Sequence, residues 1–312
     1  GAYVVVVVVG LELVKMLAAR RMGRGLGAAA IASKAFCFDG CRFFHNDVKN
    51  GSSVGMSGVE KDVEVRKTVD DSEVEKFSQM DWAGPEGLEL SLMHPTRVHA
   101  IEKYLHSGGR RGVHGLRLLD VGCGGGLLSR SLLDYGAKVV SIDAVENNVK
   151  ATEQVCEKYV GSGRFQAIHC TVEELLEERG PQSFDGVISL EVLEHVKDPS
   201  LFIDCCCKLT NDSLVLSTIN RTMKSYLLAI VAAEYIARKI PRGTHDWNKF
   251  VQPREIETTV HANGLHTDEI IGLFYNPIFG SWHESRVETD VNYMYFASRS
   301  KGGKVEKTEL LV

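Results

Sequence analysis

The sequence predicts an α/β fold, a mostly parallel sheet with helices on both faces, and three observations predict it. Short β-rich runs at 116–121, 137–142, 164–168, 184–190 and 213–219 alternate with helical patterns at 126–135, 145–159, 172–179 and 199–209, the signature of βαβ units. The first run, through Leu118-Leu119-Asp120-Val121, passes directly into the glycine-rich turn Gly122-Cys123-Gly124-Gly125-Gly126. The second is followed by a carboxylate, Asp143, where doubly wound folds place an acid at the carboxyl edge of the sheet.

The elements follow in order. Residues 45–67, rich in Gly, Ser and mixed charge, read as a linker, so the folded domain is expected over 68–300, after a leader and linker at 1–67 and before a mobile tail at 301–312. Asp70 or Asp71 caps a first helix carrying Val74, Phe77 and Met80, and a second helix covers 95–105 from Pro95. The five strand–helix units come next, and their near-continuous apolar strands suit a sheet covered on both sides. After the fifth strand, residues 220–250 form an insertion that a minimal α/β unit does not need. A last major helix at 254–263 and a closing strand at 291–298 complete the pattern. Ligands are expected at the carboxyl ends of the strands.

The net charge of -5 gives no support to nucleic-acid binding, which shows as a basic domain or stripe, so no nucleic-acid partner is expected. The eight cysteines have neither disulfide-framework nor zinc spacing: Cys205-Cys206-Cys207 are consecutive and Cys123 lies inside the glycine turn, which points to a reducing compartment. Near the start, the valine run 4–9 is broken by Glu12 and Lys15 well short of the roughly 20 residues that span a bilayer. From 13 to 38 the chain carries Lys15, Arg20, Arg21, Arg24 and Lys34, no acid, and many Ala, Gly and Ser. That is the composition of an organellar transit peptide, or of a disordered basic tail.

The glycine turn narrows the ligand. A dinucleotide fingerprint, G-x-G-x-x-G, would place its third glycine at position 127, where Leu127 stands. The G-x-G-x-G form present here, with Asp120 before it and Asp143 after the next strand, resembles motifs I and II of the S-adenosylmethionine-dependent methyltransferases. The chemistry agrees: Gly122, Gly124 and Gly126 let the backbone approach a ligand, and the following helix offers N–H groups to a methionine carboxylate. Asp143 is placed to accept both ribose hydroxyls. A turn that only connects strand to helix is the structural alternative.

After the fourth strand comes Glu191-Val192-Leu193-Glu194-His195. If this stretch opens a helix, positions 191, 194 and 195 share one face as i, i+3 and i+4, a facial set of two carboxylates and an imidazole suited to a hard divalent cation such as Mg2+. The other reading has Glu-His orienting substrate or capping the turn. In the insertion, the apolar stretch 226–240 is bracketed by Arg221, Lys224, Arg238, Lys239 and Arg242. It reads as a helix in an anionic membrane interface, as a lid on the active site, or as both.

From 77 to 299 the chain resembles the ubiquinone-biosynthesis O-methyltransferases, which methylate polyprenylated catechol intermediates of coenzyme Q. The residues that carry the likeness are His94-Pro95-Thr96-Arg97, 119–126, 191–196, 217–221, Lys224-Ser225, 233–236, 241–246, Tyr275-Asn276-Pro277 and 290–294. With the basic N-terminus, it points to the eukaryotic mitochondrial form, peripheral on the matrix side of the inner membrane and part of a multi-subunit coenzyme Q complex. The resemblance implies a Rossmann-like class I fold with a seven-stranded sheet. It implies that Arg97, Gly122, Asp143 and the backbone near Leu190 contact S-adenosylmethionine, while Glu191, Glu194 and His195 ligate magnesium. Methyl transfer to a phenolic oxygen would then use His195 or a neighbouring carboxylate such as Glu191 as base, with His245 and Asp246 as second candidates. Three rivals differ in what they need: a soluble-catechol methyltransferase needs no apolar insertion, a quinone C-methyltransferase needs no metal, and a silent assembly subunit needs no intact glycine loop.

Overall fold

The structure, a computed structural model, describes residues 68–82, 84–106, 112–227, 246–276 and 279–299. The leader, the tail and most of the insertion, residues 228–245, lie outside the described residues. The chain builds one eight-stranded sheet in the order β3-β2-β1-β4-β5-β8-β6-β7. Strands β1 (Arg117–Val121), β2 (Lys138–Asp143), β3 (Phe165–His169), β4 (Phe184–Leu190) and β5 (Thr210–Ile219) are parallel. Strands β6 (His266–Asn276), β7 (Ser281–Ser285) and β8 (Asn292–Ser298) extend the sheet beyond β5 in antiparallel pairs. The sheet has one strand more than the seven expected, and the sequence reading did not anticipate β6 or β7.

Eight helices accompany these strands among the described residues: α1 (Asp71–Ser78), α2 (Pro85–His106), α3 (Leu127–Asp134), α4 (Glu146–Val155), α5 (Val172–Arg179), α6 (Pro199–Leu209), the single turn α7 (Met223–Ser225) and α8 (Pro253–Ala262). Local chemistry sets several boundaries. The Asp70 carboxylate accepts from Ser72 N to cap α1, Thr171 and Glu174 form a reciprocal capping box on α5, and Asp198 followed by Pro199 opens α6. Helix α2 begins ten residues before the expected Pro95, which sits inside it. Pro85 holds the first-turn position, where a missing N–H costs nothing, whereas Pro95 lies in the interior, so the sequence's proline signal pointed to the wrong one of the two.

Alternation along β1 shows how the core is divided. Leu118 packs into a cluster with Ile101 and Leu105 of α2 and Leu132 of α3, whereas Leu119 and Val121 pack into a second cluster with Phe202 and Cys206 of α6 and Ile256 of α8. Both clusters are closed to solvent, so the sheet is fixed from both faces and its strand ends are held rigidly. The strand order reverses between β1 and β4, and the crevice at their carboxyl ends is where this topology collects ligands.

Candidate active site

That crevice is a cavity of about 310 Å3 lined by the ends of β1, β2, β4 and β5 together with α1 and α2. The glycine turn forms one wall. Gly122 N and Cys123 N both donate to Ile142 O, at 2.9 and 3.0 Å, tying the turn to β2. Gly124 and Gly126 have φ of +51° and +79°, values that side chains rarely adopt. A Cβ at Gly124 would lie 2.4 Å from the Trp82 ring, and one at Gly126 would lie 2.8 Å from Thr152 Cα. Helix α3 starts from Gly126 with no side-chain cap, so its first N–H groups remain available to an anionic group.

Asp143 is buried and its two oxygens are engaged: Oδ2 accepts from Gly124 N at 3.0 Å, and Oδ1 accepts from Val145 N at 2.9 Å and Asn148 Nδ2 at 3.2 Å. Burial raises its pKa and these hydrogen bonds oppose the rise. Asp120, also buried, accepts from Ser129 Oγ at 2.5 Å, and burial pushes it up to about 7. It acts as a strut between β1 and α3 while lining the same cavity. Sequence reasoning missed Trp82 and Asn148. The Trp82 indole N–H donates to Asn148 Oδ1 at 2.9 Å, so a chain of hydrogen bonds runs from the ring over the glycine turn to Asp143. Asn148 lies five residues after Asp143, whereas the tryptophan precedes α2, with α2, β1 and α3 between it and the second strand, and had no local signal.

Arg97 comes from α2 and is 4 % exposed. Its Nη2 donates to Leu90 O at 3.1 Å, its Nη1 lies 3.5 Å from Glu191 Oε1, and its Nε has no partner among the described residues. Burial lowers its pKa against the attraction of Glu191 and Glu194. Leu190 ends β4 in register with Ser217 and lines the cavity.

The geometry of Glu191, Glu194 and His195 differs from the expected helix face. Glu191 has φ of +58°, the turn Leu193–His195 is a 3₁₀ turn, and the α-helix begins only at Pro199. A residue in the left-handed region cannot continue an α-helix, so i, i+3, i+4 spacing does not place the three on one face. Each has its own partner instead. Glu191 Oε1 accepts from Ser217 Oγ at 2.6 Å, Glu194 Oε2 accepts from Thr218 Oγ1 at 2.7 Å, and His195 Nδ1 lies 3.0 Å from Glu73 Oε2. Burial and the nearby Glu191 push Glu194 up to about 7. Among the described residues, no three His, Cys, Asp or Glu side chains are arranged to hold one ion. The donor types suit magnesium, but their present arrangement does not fit it.

Helix α1 supplies a second group that the sequence did not reveal. Glu73 holds His195 with one oxygen and Lys249 with the other, at 3.2 Å, and Asp70 also reaches Lys249 at 3.2 Å. The hydrogen bond to His195 is the largest influence holding the Glu73 carboxyl down at about 2. Phe77 packs edge-on against the His195 ring, with centroids 4.8 Å apart. Lys249 lies at the end of the insertion, so α1, His195 and that end are joined by one set of contacts. At the insertion's start, Arg221 pairs with Glu255 at 2.5 Å, and Lys224 pairs with Glu288 and Asp290. These two cations pin the start of the insertion to α8 and to the segment between β7 and β8, while Arg238, Lys239, Arg242 and His245 lie outside the described residues. Asp246 caps the turn Trp247–Lys249 by accepting from Asn248 N at 2.9 Å. Among the described residues no helix is long and apolar enough to cross a membrane.

The sheet order, the glycine turn and the acid after β2 define a class I S-adenosylmethionine-dependent methyltransferase. A family model described as a methyltransferase domain matches residues 89–270. A magnesium protoporphyrin IX methyltransferase from Synechocystis, solved with bound SAH, shares the fold with a TM-score of 0.51 at 21% identity, covering 74% of this chain and 94% of that one. More specific are the sequence relatives. The chain is 40% identical over 253 residues to the ubiquinone biosynthesis O-methyltransferase of Parvibaculum lavamentivorans, covering 77% of this chain and 98% of that protein. It is 39% identical over 249 residues to the mitochondrial ubiquinone biosynthesis O-methyltransferase of Homo sapiens, covering 75% of this chain and 66% of that protein. The chain therefore belongs to the ubiquinone biosynthesis O-methyltransferase family.

Proposed function

We propose that the protein transfers the sulfonium methyl of S-adenosylmethionine to a phenolic oxygen of a polyprenylated catechol, such as 3,4-dihydroxy-5-polyprenylbenzoate or demethylubiquinol, in ubiquinone biosynthesis. The observation that carries this reading is the placement of His195, held by Glu73, in the same cavity as the glycine turn and Asp143. The Glu73 carboxylate favours the imidazole tautomer with its proton on Nδ1, which leaves Nε2 as the acceptor. A phenol near pKa 10 is a weak nucleophile at neutral pH, so a base at its O–H is needed as the methyl arrives. In the step, the phenolic oxygen bonds the methyl carbon, the carbon–sulfur bond breaks, its electrons neutralise the sulfonium, and the proton passes to His195 Nε2. S-adenosylhomocysteine and an aryl methyl ether leave, and Glu73 stabilises the imidazolium until it loses its proton to water. Fixing both substrates in near-attack geometry supplies on the order of 7 kcal/mol or more of the barrier.

Magnesium belongs to the proposal as a cofactor to be tested. Glu191, Glu194 and His195 are the residues that would hold it, and its contribution would be to lower the pKa of the catechol oxygens. As placed they do not converge, so the steps above are derived without it. The proposal also includes residence as a peripheral protein on the matrix side of the mitochondrial inner membrane within a multi-subunit assembly. It is supported by the basic leader, the insertion's cations and the mitochondrial human relative. Incubating the protein with S-adenosylmethionine and a prenylated catechol, with and without EDTA, tests the function. O-methylated product is expected, and its absence despite bound cofactor refutes the proposal. Full turnover in EDTA removes the metal alone.

A further inference from the structure

We infer that Asn292 is a substrate-positioning residue whose carboxamide hydrogen-bonds an oxygen substituent of the aromatic methyl acceptor. Asn292 is 1 % exposed, and neither its Nδ2 nor its Oδ1 has a hydrogen-bond partner among the described residues. Buried carboxamides are almost always paired, because stripping water from both the N–H2 and the C=O without replacement is costly. An apolar residue of the same shape would avoid that cost. A position that keeps an unsatisfied amide is therefore explained by a ligand that completes it.

Three features direct the amide to the acceptor instead of the cofactor. Asn292 lines the same cavity as the glycine turn and Asp143. It opens β8, in register with Ile219 of β5 on one side and Leu273 of β6 on the other, so the backbone that carries it is paired on both sides. The cofactor wall is built on β2, β1 and β4, whereas β8 lies two strands beyond β4, roughly 10 Å away at the usual spacing between strands. Between them run Ser217 and Thr218 of β5, which hold Glu191 and Glu194. The end of the cavity beyond those carboxylates is the place left for the methyl acceptor.

The chemistry matches a catechol. The Oδ1 accepts from one phenolic O–H and the Nδ2 donates to an adjacent oxygen, a two-point contact that fixes the ring in its plane. Leucine at this position keeps the branched shape and loses both contacts.

This inference rests on the proposed function, and the experiment separates the two. Asn292→Leu and Asn292→Ala are compared with wild type for kcat/KM on a prenylated catechol, for S-adenosylmethionine Kd by calorimetry, and for Tm. For Asn292→Leu we expect kcat/KM for the catechol to fall at least tenfold, cofactor Kd to stay within twofold and Tm to be equal to or above wild type. Catechol turnover within twofold of wild type overturns the assignment, and so does an equal loss of cofactor affinity. A drop of several degrees in Tm shows an internal structural partner and also overturns it. If Asn292→Leu does not fold, the same ratios in Asn292→Ala decide. A wild-type enzyme that binds cofactor but does not turn over the catechol refutes the functional reading, and the Asn292 assignment with it.

Discussion

Replacing Gly126 with alanine separates backbone geometry from ligand binding more sharply than any other change in the glycine turn. Gly126 has φ of +79°, and a Cβ built there meets Thr152 Cα at 2.8 Å and Thr152 Oγ1 at 3.1 Å. The left-handed backbone costs about 1–2 kcal/mol for a residue with a side chain. Overpacking against a helix backbone that cannot rotate away adds about 1–3 kcal/mol. The total of about 2–5 kcal/mol corresponds to a fall in Tm of about 4–20 °C for a domain of this size, at about 2–4 °C per kcal/mol. Gly124→Ala provides the internal control, because its Cβ would meet the far end of the Trp82 ring at 2.4 Å and a ring can swing aside. Its stability cost is the backbone term alone, about 1–2 kcal/mol, while displacement of Trp82 weakens cofactor binding. Circular dichroism melts of the two variants beside wild type give the result. A Gly126→Ala protein melting with wild type, or a Gly124→Ala protein falling as far as Gly126→Ala, refutes the reasoning.

Other consequences can be checked independently. Asp143→Ala is expected to weaken S-adenosylmethionine binding by about 1.5–3 kcal/mol, the cost of losing hydrogen bonds to a charged group, and unchanged affinity by calorimetry removes Asp143 from the site. Asp120 has its pKa raised from 3.8 to about 7 by burial, so the folded state holds the proton more tightly and this group's contribution to stability falls as pH rises from about 4 to about 7. In Asp120→Asn the difference in Tm from wild type should therefore shift in the variant's favour across that window, and a pH-independent difference contradicts the burial argument. Reversing the charges of Arg238 and Lys239 should release the protein from cardiolipin-containing liposomes, since each basic residue near an anionic surface contributes roughly 1 kcal/mol. Activity on a short-chain soluble analogue should survive, and unchanged sedimentation argues for a lid.

The strands that carry the cofactor wall were legible because each is a short apolar run that ends at a punctuating residue. Val121 gives way to Gly122, and Ile142 to Asp143, and these boundaries match the observed strands within a residue or two. Strand β6 was not legible. Its half from His266 to Glu269 is polar and partly exposed, and the apolar run that follows, Ile270 to Tyr275, is interrupted by Gly272 and buried only at Ile271, Gly272 and Leu273, so the signal covers half of the strand. Antiparallel pairing with β8 imposes the extended conformation from outside the segment. The Glu191, Glu194 and His195 set was legible as a cluster of chemistry but not as geometry, because the φ of +58° at Glu191 replaces the helix that the spacing assumed. The contacts that organise His195 come from Glu73 and Phe77, more than a hundred positions earlier, a separation that spacing rules do not reach.

Supplying S-adenosylmethionine labelled with carbon-13 in the methyl group directly tests transfer of that methyl to oxygen on a prenylated catechol. Nuclear magnetic resonance of the isolated product is expected to show the label bonded to a phenolic oxygen, with the prenyl chain intact. A label on a ring carbon, or no transfer from cofactor that calorimetry shows to be bound, would contradict the account.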